Sequence, residues 1–556
     1  MARRQWLAPL FVVSIALAAC GNQTTQSAST GPSDAPPDDS AAPASEAPVE
    51  SGGTLVVAIS SDPGHLNPAI TTSGGTHTAA ELLYNGLVGL DDELNPIPEL
   101  ADSWVISDDG TTYTFTLRDD VMWHDGEPFT SADVKFSFEE VLLEHHARTR
   151  ASMSSALASI ETPDDTTVIF TFNEPYGPLL LQLDVTEAPI VAQHVYEGTD
   201  PLEAPANLEP IGTGPFKFVS YTPESEIRFE ANDDYFRGRP QLDEVVQRII
   251  PDQGSAVIAL EDGEVQWLWG VPGSDQERLA ADENIEFLRT NRNPGGANCI
   301  MTVSFNLENP IFTNVDVRRA FAQGLDRQAF LELVLFNEGR VAEAPISSGI
   351  AWAHADDVEI PGYDVAEAER LLDEAGWIRD GDAARTADGV EGIEDGTSLT
   401  VDFVHFPTFA RYGELLRTQL GEIGVDVELV ALEPPVFAET VFTERDFDTN
   451  IISYCNGNDP EIGVRRMYDS AQIGPVPFSN AAAYANPDVD ALFAEAVATV
   501  DLETRGELYH EVQEILVEDL PYIWIVETDA TRAYRSNCTG FIPYAQFAEA
   551  ASCAGE

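Results

Sequence analysis

Lysine is nearly absent from this chain of 556 residues: Lys135 and Lys217 are its two lysines, and arginine supplies the other basic side chains. The 95 acidic side chains outnumber the 29 lysines and arginines and give a formal net charge of −66 at pH 7. Such a surface repels nucleic acid and anionic lipid head groups, so we expect neither as a partner. Two explanations of the acidity stay open: a saline habitat, where salt screens the self-repulsion, and a composition bias of the lineage.

Motifs of catalysis and cofactor binding are also missing. The sequence contains no GxSxG, phosphate-loop or dinucleotide fingerprint. His510-Glu511 lacks the second histidine of a zinc-protease helix, and the cysteines form no CxxC pair. Glu144-His145-His146 could attract a divalent metal, but a solvated helix end is the interpretation that we favour. We therefore predict that the protein is not an enzyme and that it holds no cofactor and no metal.

The N-terminus has the pattern of an export signal. Two arginines precede an apolar run from Leu7 to Ala19, which is too short to span a bilayer. The run ends in Leu17-Ala18-Ala19-Cys20, which resembles a bacterial lipobox, where a peptidase cuts before the cysteine and the thiol receives diacylglycerol. We predict a signal peptide over residues 1–20 and a lipidated Cys20. This lipid would be the only membrane anchor and would hold the protein on the extracytoplasmic face, in the periplasm or at the cell surface.

The segment after Cys20 lacks apolar periodicity. Residues 21–51 are rich in Ser, Thr, Pro, Ala and acids, and cannot bury enough surface to offset the entropy of ordering. We predict that they form a disordered linker. Four cysteines then remain, and an even number in an oxidising compartment suggests disulfides with three possible pairings. We favour Cys538 with Cys553, which closes a short terminal loop, and Cys299 with Cys455.

Strand and helix signals are mixed in the rest of the chain. Gly53 to Ala58 indicates a buried first strand, and Thr130 with Asp133 resembles a capping pair at a helix start. Asp364 is predicted to cap a helix that Gly376 ends. Strand and helix signals in this order favour α/β lobes.

A series of short segments extends over the chain from about Gly53 to Tyr534. In chain order they include Asp62-Pro63, Leu66-Asn67-Pro68, Leu100 to Arg118, Trp123 to Gly126, Gly212 to Phe216, Phe305-Asn306, Val317 to Ala320, Asp364 to Trp377 and Asp459-Pro460. The ordered set resembles the solute-binding proteins of oligopeptide, dipeptide and nickel ABC importers, which form family 5 of the bacterial extracellular solute-binding proteins.

This resemblance implies an α/β fold of the periplasmic-binding-protein type II, with two hinged lobes and a subdomain inserted in the first lobe. Lobe I would comprise residues 52–85, 210–295 and 525–556, the inserted subdomain 86–209, and lobe II 296–524. Gly212-Thr213-Gly214-Pro215 would then mark a crossing of the backbone near the hinge, where glycine permits close approach.

The resemblance also implies where a solute would bind. A cleft that encloses a solute needs apolar and aromatic walls together with a few fixed polar groups. The candidate ligand-binding residues are Ser73, His77, Trp267, Trp269, Asn306, Tyr454, Asn456, Asp459 and Arg465.

Asn456 departs from the pattern of peptide-binding relatives. In those relatives an aspartate three residues before the aspartate of the Asp-Pro pair binds the α-ammonium of the peptide, whereas counting back from Asp459 gives the neutral Asn456. The loss of a charged partner costs an ammonium on the order of a few kcal/mol. Arg465 and Arg466 could hold a carboxylate or phosphate of the ligand, but a surface ion pair is the interpretation that we favour for them.

The resemblance as a whole implies a binding protein that captures a peptide or similar small solute by closure of its lobes. It would deliver the solute to an ABC permease with its ATPase, and we expect a monomer. A surface-anchored sensor or interaction protein that keeps the fold without transport is the alternative. Peptide, opine-like conjugate, sugar and metal chelate all stay open as solutes.

Overall fold

A computed structural model describes residues 52–91, 93–290, 298–381, 383–541 and 551–553. The predicted signal peptide, the lipidated Cys20 and the linker over 21–51 lie outside these residues. Among the helices of the described residues, none is both long enough and apolar enough to cross a membrane.

Lobe I is built on a seven-stranded sheet. Its strands in spatial order are Ile285–Thr290, Ala530–Arg535, Trp267–Leu268, Thr54–Ile59, Glu244–Ile249, Glu226–Ala231 and Phe216–Thr222. Thr54–Ile59 runs parallel to both of its neighbours, so the carboxyl ends of three strands meet at one edge of the sheet. The helices of this region are Pro68–Ile70 (a 3-10 turn), Gly74–Ala80, Gln253–Glu261 and Gly273–Leu279.

Residues 86–209 carry a four-stranded antiparallel sheet and a short hairpin. The sheet has the order Ala101–Ile106, Thr112–Leu117, Thr167–Phe172 and Leu157–Asp164, and the hairpin pairs Val88–Leu90 with Pro96–Pro98. The helical segments are Ser131–Phe136, Ser137–Leu142, Leu143–His145, Ala147–Met153, Gly177–Gln182, Gln193–Tyr196 and Pro205–Asn207. The apolar side chains of this region share one core with those of lobe I.

Lobe II has a core of its own around a six-stranded mixed sheet. The order of its strands is Arg340–Val341, Tyr522–Glu527, Cys299–Phe305, Thr449–Cys455, Thr400–His405 and Asp426–Ala431, and Trp377–Ile378 pairs separately with Thr386–Ala387. The helices are Pro310–Phe312, Val315–Gln323, Arg327–Leu333, Val365–Glu374, Pro407–Phe409, Ala410–Glu422, Pro434–Ala438, Glu439–Glu444, Pro460–Gly463, Arg465–Tyr468, Ser470–Gln472, Pro487–Ala498 and Leu502–Asp519.

The chain crosses between the two large sheets twice. One crossing follows Ile285–Thr290 and the other follows Tyr522–Glu527. All of Tyr522–Glu527 belongs to the six-stranded sheet, so the second crossing comes after Glu527 and the strand spans the boundary that we predicted at residue 525. The division into lobe I, inserted subdomain and lobe II otherwise stays a prediction about domains.

Local sequence signals correspond to observed backbone features. Thr130 and Asp133 form the predicted capping box, in which the Thr130 N–H donates to Asp133 Oδ2 at 2.9 Å. Asp364 caps Val365–Glu374 through the Glu367 N–H, and Gly376 follows the helix with a φ of +89°. A Cβ on Gly212 would lie 1.8 Å from the Leu83 carbonyl oxygen. The predicted close approach of the backbone at this glycine is therefore confirmed.

Candidate functional site

A cavity of about 590 Å³ lies between the inserted region and lobe II. One wall comes from residues 147–155, the facing wall from residues 455–479, and Thr72 adds a contact from lobe I. The helices Ala147–Met153 and Pro460–Gly463 contact each other where the two walls meet. A molecule in this cavity would therefore contact both halves of the protein at once.

Arg148 projects into the cavity from the first turn of Ala147–Met153. Its Nε lies 3.1 Å from Oε2 of the buried Glu187, which fixes the guanidinium against its own subdomain. His146 precedes this helix and caps it by accepting from the Thr149 N–H. Because His146 is fully buried, the prediction of a solvated helix end is wrong at this position. Burial, followed by the charge of Arg148, lowers the pKa of the His146 imidazole well below its ordinary value.

Arg465 lines the opposite wall and pairs with two carboxylates of its own lobe. Its Nη1 lies 3.0 Å from Glu461 Oε1, and its Nε donates to Asp469 Oδ2 at 2.6 Å. Burial raises the pKa of Glu461 to about 7, although the charge of Arg465 opposes the shift. Arg465 thus lines the cavity, but its charge is already compensated by these two carboxylates, and its predicted role in ligand binding stays a prediction.

Arg466 lines the same wall and is held differently. Its Nε donates to the Gly463 carbonyl at 3.2 Å and its Nη2 to the Cys455 carbonyl at 3.3 Å. The guanidinium carbon lies 5.8 Å from the centre of the Tyr454 ring. Within the described residues no carboxylate lies within ion-pair distance of Arg466.

A polar contact joins the two halves beside the cavity. Asn458 of lobe II donates from Nδ2 to Oδ2 of Asp184 in the inserted region at 3.3 Å. Burial raises the pKa of Asp184 to about 7, with a further contribution from the charge of Glu187. Burial likewise raises the pKa of Glu81, and the neighbouring Asp184 helps to bring it to about 8. Asp184 at the face between the halves and its neighbour Glu81 are therefore carboxyl groups that retain protons near neutral pH.

Two disulfides join the four cysteines that the structure describes. Cys299 and Cys455 are opposite each other on adjacent antiparallel strands, with an S–S distance of 1.98 Å. Cys538 and Cys553 pair in the same way at the C-terminus, with an S–S distance of 2.12 Å. These are the two pairs that we favoured from the sequence. Cys455 also lines the cavity, so the first disulfide braces the wall from which the arginines project.

Asp459, a predicted ligand-binding residue, is instead buried in an ion pair within lobe II. Its two carboxylate oxygens lie 2.8 and 2.9 Å from Nη1 and Nη2 of Arg505. Its Oδ1 also accepts from the Glu461 N–H and caps Pro460–Gly463. Both side chains of the pair are almost fully buried, and Asp459 does not line the cavity. Its contacts are those of a structural residue.

Asn456 is also fully buried and lies outside the cavity lining. Its Oδ1 accepts from the Ser347 N–H at 2.8 Å, and its own N–H donates to the Asn298 carbonyl at 2.8 Å. Tyr454 is buried as well, and its hydroxyl donates to the Ser479 carbonyl at 2.8 Å. These side chains position the loop rather than face the cavity.

The other predicted residues are spread over the molecule. Ser73 is exposed at the start of Gly74–Ala80, and His77 is buried within that helix, where its Nε2–H donates to the Thr71 carbonyl at 2.9 Å. Burial lowers the pKa of His77 to about 4. Asn306 binds the carbonyls of Arg445 and Phe447 in lobe II.

A second cavity of about 390 Å³ opens at the edge where the parallel strands of lobe I end. Trp269 lines it, together with Ser60, Ser61 and the first residues of Gly74–Ala80. Trp267 is buried behind this edge, where it packs on Tyr534. Of the nine predicted ligand-binding residues, Arg465 lines the cavity between the halves, Trp269 lines the cavity of lobe I, and Asn306 lines a separate open cavity of about 450 Å³ within lobe II.

Arg148 and Glu461 were missed as cavity residues by the reasoning from sequence. Arg148 follows the Glu144-His145-His146 segment, which the sequence predicts as a solvated helix end. Glu461 stands four residues before Arg465, a spacing that predicts a helical ion pair. In the part of the chain that the structure describes, no group of three or more His, Cys, Asp or Glu side chains could hold a metal ion.

Two lobes, two crossings of the chain and a cavity between the halves define a two-lobed solute-binding fold. The family model for bacterial extracellular solute-binding proteins, family 5 (Middle), matches residues 95–475. The oligopeptide-binding protein AppA of Bacillus subtilis is 27% identical, over 96% of this chain and 95% of its own. Heme-binding protein A of Haemophilus influenzae is 29% identical, over 92% of each chain.

Solved structures are similar as well. The crystal structure of NikZ from Campylobacter jejuni in complex with Ni(L-His) has a TM-score of 0.72 and 26% identity, and the match covers 88% of this chain and 95% of that one. The chain belongs to the bacterial extracellular solute-binding proteins, family 5. The fold is accordingly of the predicted periplasmic-binding-protein type II, and the family consists of substrate-binding proteins of ABC importers, which are not enzymes.

Proposed function

We propose that the protein is a lipid-anchored, extracytoplasmic substrate-binding protein of an ABC importer. It captures a peptide or similar small solute in the cavity of about 590 Å³ and delivers it to the permease and its ATPase. The observation that carries the proposal is the composition of this cavity, to which the inserted region, lobe II and Thr72 of lobe I all contribute. A solute that contacts both halves favours the closed arrangement through its higher affinity for that state.

The choice of solute rests on the relatives. AppA is named for oligopeptides, Heme-binding protein A for heme, and NikZ was solved with a nickel–histidine complex. The family thus accommodates several ligand classes, and a peptide is one proposal among them. Because Asn456 is buried and uses its Oδ1 within lobe II, an ammonium site at this residue has no support from the contacts.

The transport proposal is tested by identifying the bound solute. The full chain is purified without refolding from membranes of the source organism and analysed by native mass spectrometry. We expect a small solute to be released on unfolding, to raise the melting temperature when it is added back, and to enter cells only when the protein is present. A protein that retains a macromolecular partner but binds no small solute would contradict the proposal.

The anchor is tested separately, because it rests on the sequence around Cys20. Wild-type protein should incorporate labelled fatty acid and sediment with membranes. Cys20→Ala should lose the label, and Cys299→Ala with Cys455→Ala should keep it, because those cysteines form a disulfide. Release of the wild type into the soluble fraction without label would reject the lipid anchor.

A further inference from the structure

The cavity reverses the charge balance of the chain. Acidic side chains outnumber basic ones by 95 to 29 overall, yet three arginines line the cavity and Glu461 is the one acidic residue of its lining. The three are Arg148, Arg465 and Arg466. Because the chain is so poor in basic residues, their convergence on one concave site indicates a binding role rather than the general character of the surface.

The three arginines differ in how their charges are compensated. Arg148 pairs with Glu187, and Arg465 pairs with Glu461 and Asp469. Arg466, by contrast, donates only to main-chain carbonyls and stacks on an aromatic ring. Carbonyl oxygens satisfy hydrogen bonds but do not neutralise a guanidinium. The three arginines and the three carboxylates thus balance in number, and within the described residues the guanidinium without a carboxylate partner is that of Arg466.

The arginines also come from opposite walls. Arg148 belongs to the inserted region, and Arg466 belongs to lobe II. Burial lowers the pKa of the Arg466 guanidinium, and Tyr454 acts in the opposite direction. The positive charge of Arg148 lowers the pKa of Arg466 further. Closure of an empty cleft thus brings two like charges towards each other in a partly desolvated space, which opposes closure.

We infer that the solute carries an anionic group, a carboxylate or a phosphate, that binds between Arg466 and Arg148 and allows the lobes to close. This inference rests on the proposed function and specifies the class of its substrate. The planar guanidinium donates to two oxygens of a carboxylate or phosphate at once, which suits both groups. A solute with this group binds the closed state more tightly than the open one, because only closure places a cation on each side of it.

Binding of simple anions tests the inference without knowledge of the natural solute. The probes are N-acetyl-trialanine, which is anionic, trialanine amide, which is cationic, and inorganic phosphate. We expect N-acetyl-trialanine or phosphate to raise the melting temperature of the wild type and trialanine amide to have no effect. A response to the peptide acid alone would indicate a carboxylate, and a response to phosphate alone would indicate a phosphate ester.

Arg466→Gln keeps hydrogen-bond donors but removes the charge. It should weaken binding of the effective anion about 10- to 100-fold, the range for loss of one charge-assisted contact. Arg417→Gln is the matched control, because Arg417 is an exposed arginine of lobe II that pairs with Glu414 on the same helix, and its affinity should equal that of the wild type. Equal binding by wild type and Arg466→Gln, or no stabilisation by either anion, would overturn the inference.

A ligand-free measurement provides a second test. Removal of one of the two facing charges should shift the empty protein towards closure, so Arg466→Gln should have a smaller radius of gyration in solution scattering than the wild type and Arg417→Gln. An unchanged radius would contradict the role of repulsion. If the co-purified solute is neutral or cationic and binds Arg466→Gln as well as the wild type, this inference fails while the transport proposal stands.

Discussion

Asp459 provides the most direct test of the structure, because sequence and structure assign it different roles. The sequence predicts that Asp459 binds the ligand, whereas in the structure its carboxylate forms an ion pair with Arg505 through both oxygens. The Arg505 side chain is 1% exposed, and the Asp459 side chain is fully buried. Asp459→Asn removes the charge but keeps an oxygen that can accept from the Glu461 N–H and cap the helix. The substitution therefore isolates the ion pair.

The expected cost follows from the burial of the pair. Removal of one partner of a buried ion pair leaves the other charge uncompensated and destabilises a protein by about 3–5 kcal/mol. In a unit of the size of lobe II, each kcal/mol lowers the melting temperature by about 2–4 °C, so the total decrease should be about 6–20 °C. Glu414→Gln breaks an exposed pair with Arg417 and should cost less than about 1 kcal/mol.

Differential scanning calorimetry of the ligand-free protein measures both variants. A double variant, Asp459→Leu with Arg505→Met, replaces the pair by apolar groups and should recover more than half of the loss, because no buried charge remains. The residual loss of about 1 kcal/mol would reflect the missing helix cap. If Asp459→Asn melts like the wild type but no longer binds the solute, Asp459 is a ligand-binding residue and the structural role is refuted.

Two further predictions concern closure and pH. A Cβ on Gly177 would lie 1.8 Å from the carbonyl oxygen of Thr499 in lobe II. Gly177→Ala should therefore weaken solute binding in calorimetric titration but leave the melting temperature of the ligand-free protein nearly unchanged. Gly421→Ala is the control and should bind normally, because its Cβ would meet no atom within 4 Å. Burial raises the pKa values of Asp184 to about 7 and of Glu81 to about 8 from 3.8 and 4.5, although the charge of Arg532 opposes the shift at Glu81. The folded state thus holds protons that the unfolded chain releases. Their stabilisation is complete below the unfolded pKa values and is lost progressively from there until the pH has risen through the folded values of about 7 and 8. Melting temperature should fall over this interval, and Asp184→Asn with Glu81→Gln should flatten the curve; an equal slope in the variant would refute the assignment.

Local chemistry made parts of the fold predictable from sequence. The capping box at Thr130 and the left-handed glycine at position 376 are set by neighbours within a few residues. The pairing of sheet strands is not. Thr54–Ile59 lies parallel to Glu244–Ile249, about 190 residues later in the chain, and no periodicity within either strand specifies the other. The resemblance to a known family supplied this long-range information.

The candidate site was harder to predict because one residue type serves two purposes. An aspartate in a loop can bind a ligand, but before a proline it is also a favourable N-cap, and at Asp459 the structure shows the second use. The partner that decides between them, Arg505, lies 46 residues later. Arg148 had no local signal either, since its role depends on the opposite wall of the cavity.

The loop from Cys455 to Asp469 shows how few of its side chains are available to a solute. Cys455 is held by a disulfide, Asp459 by Arg505, and Arg465 by two carboxylates. A change at any of these residues would disturb the lobe before it altered the solute that is bound. Arg466 combines a place in the cavity with main-chain partners that would remain after its substitution. Specificity in this protein should therefore change most readily at Arg466, and a neutral residue there is expected in relatives that take uncharged solutes.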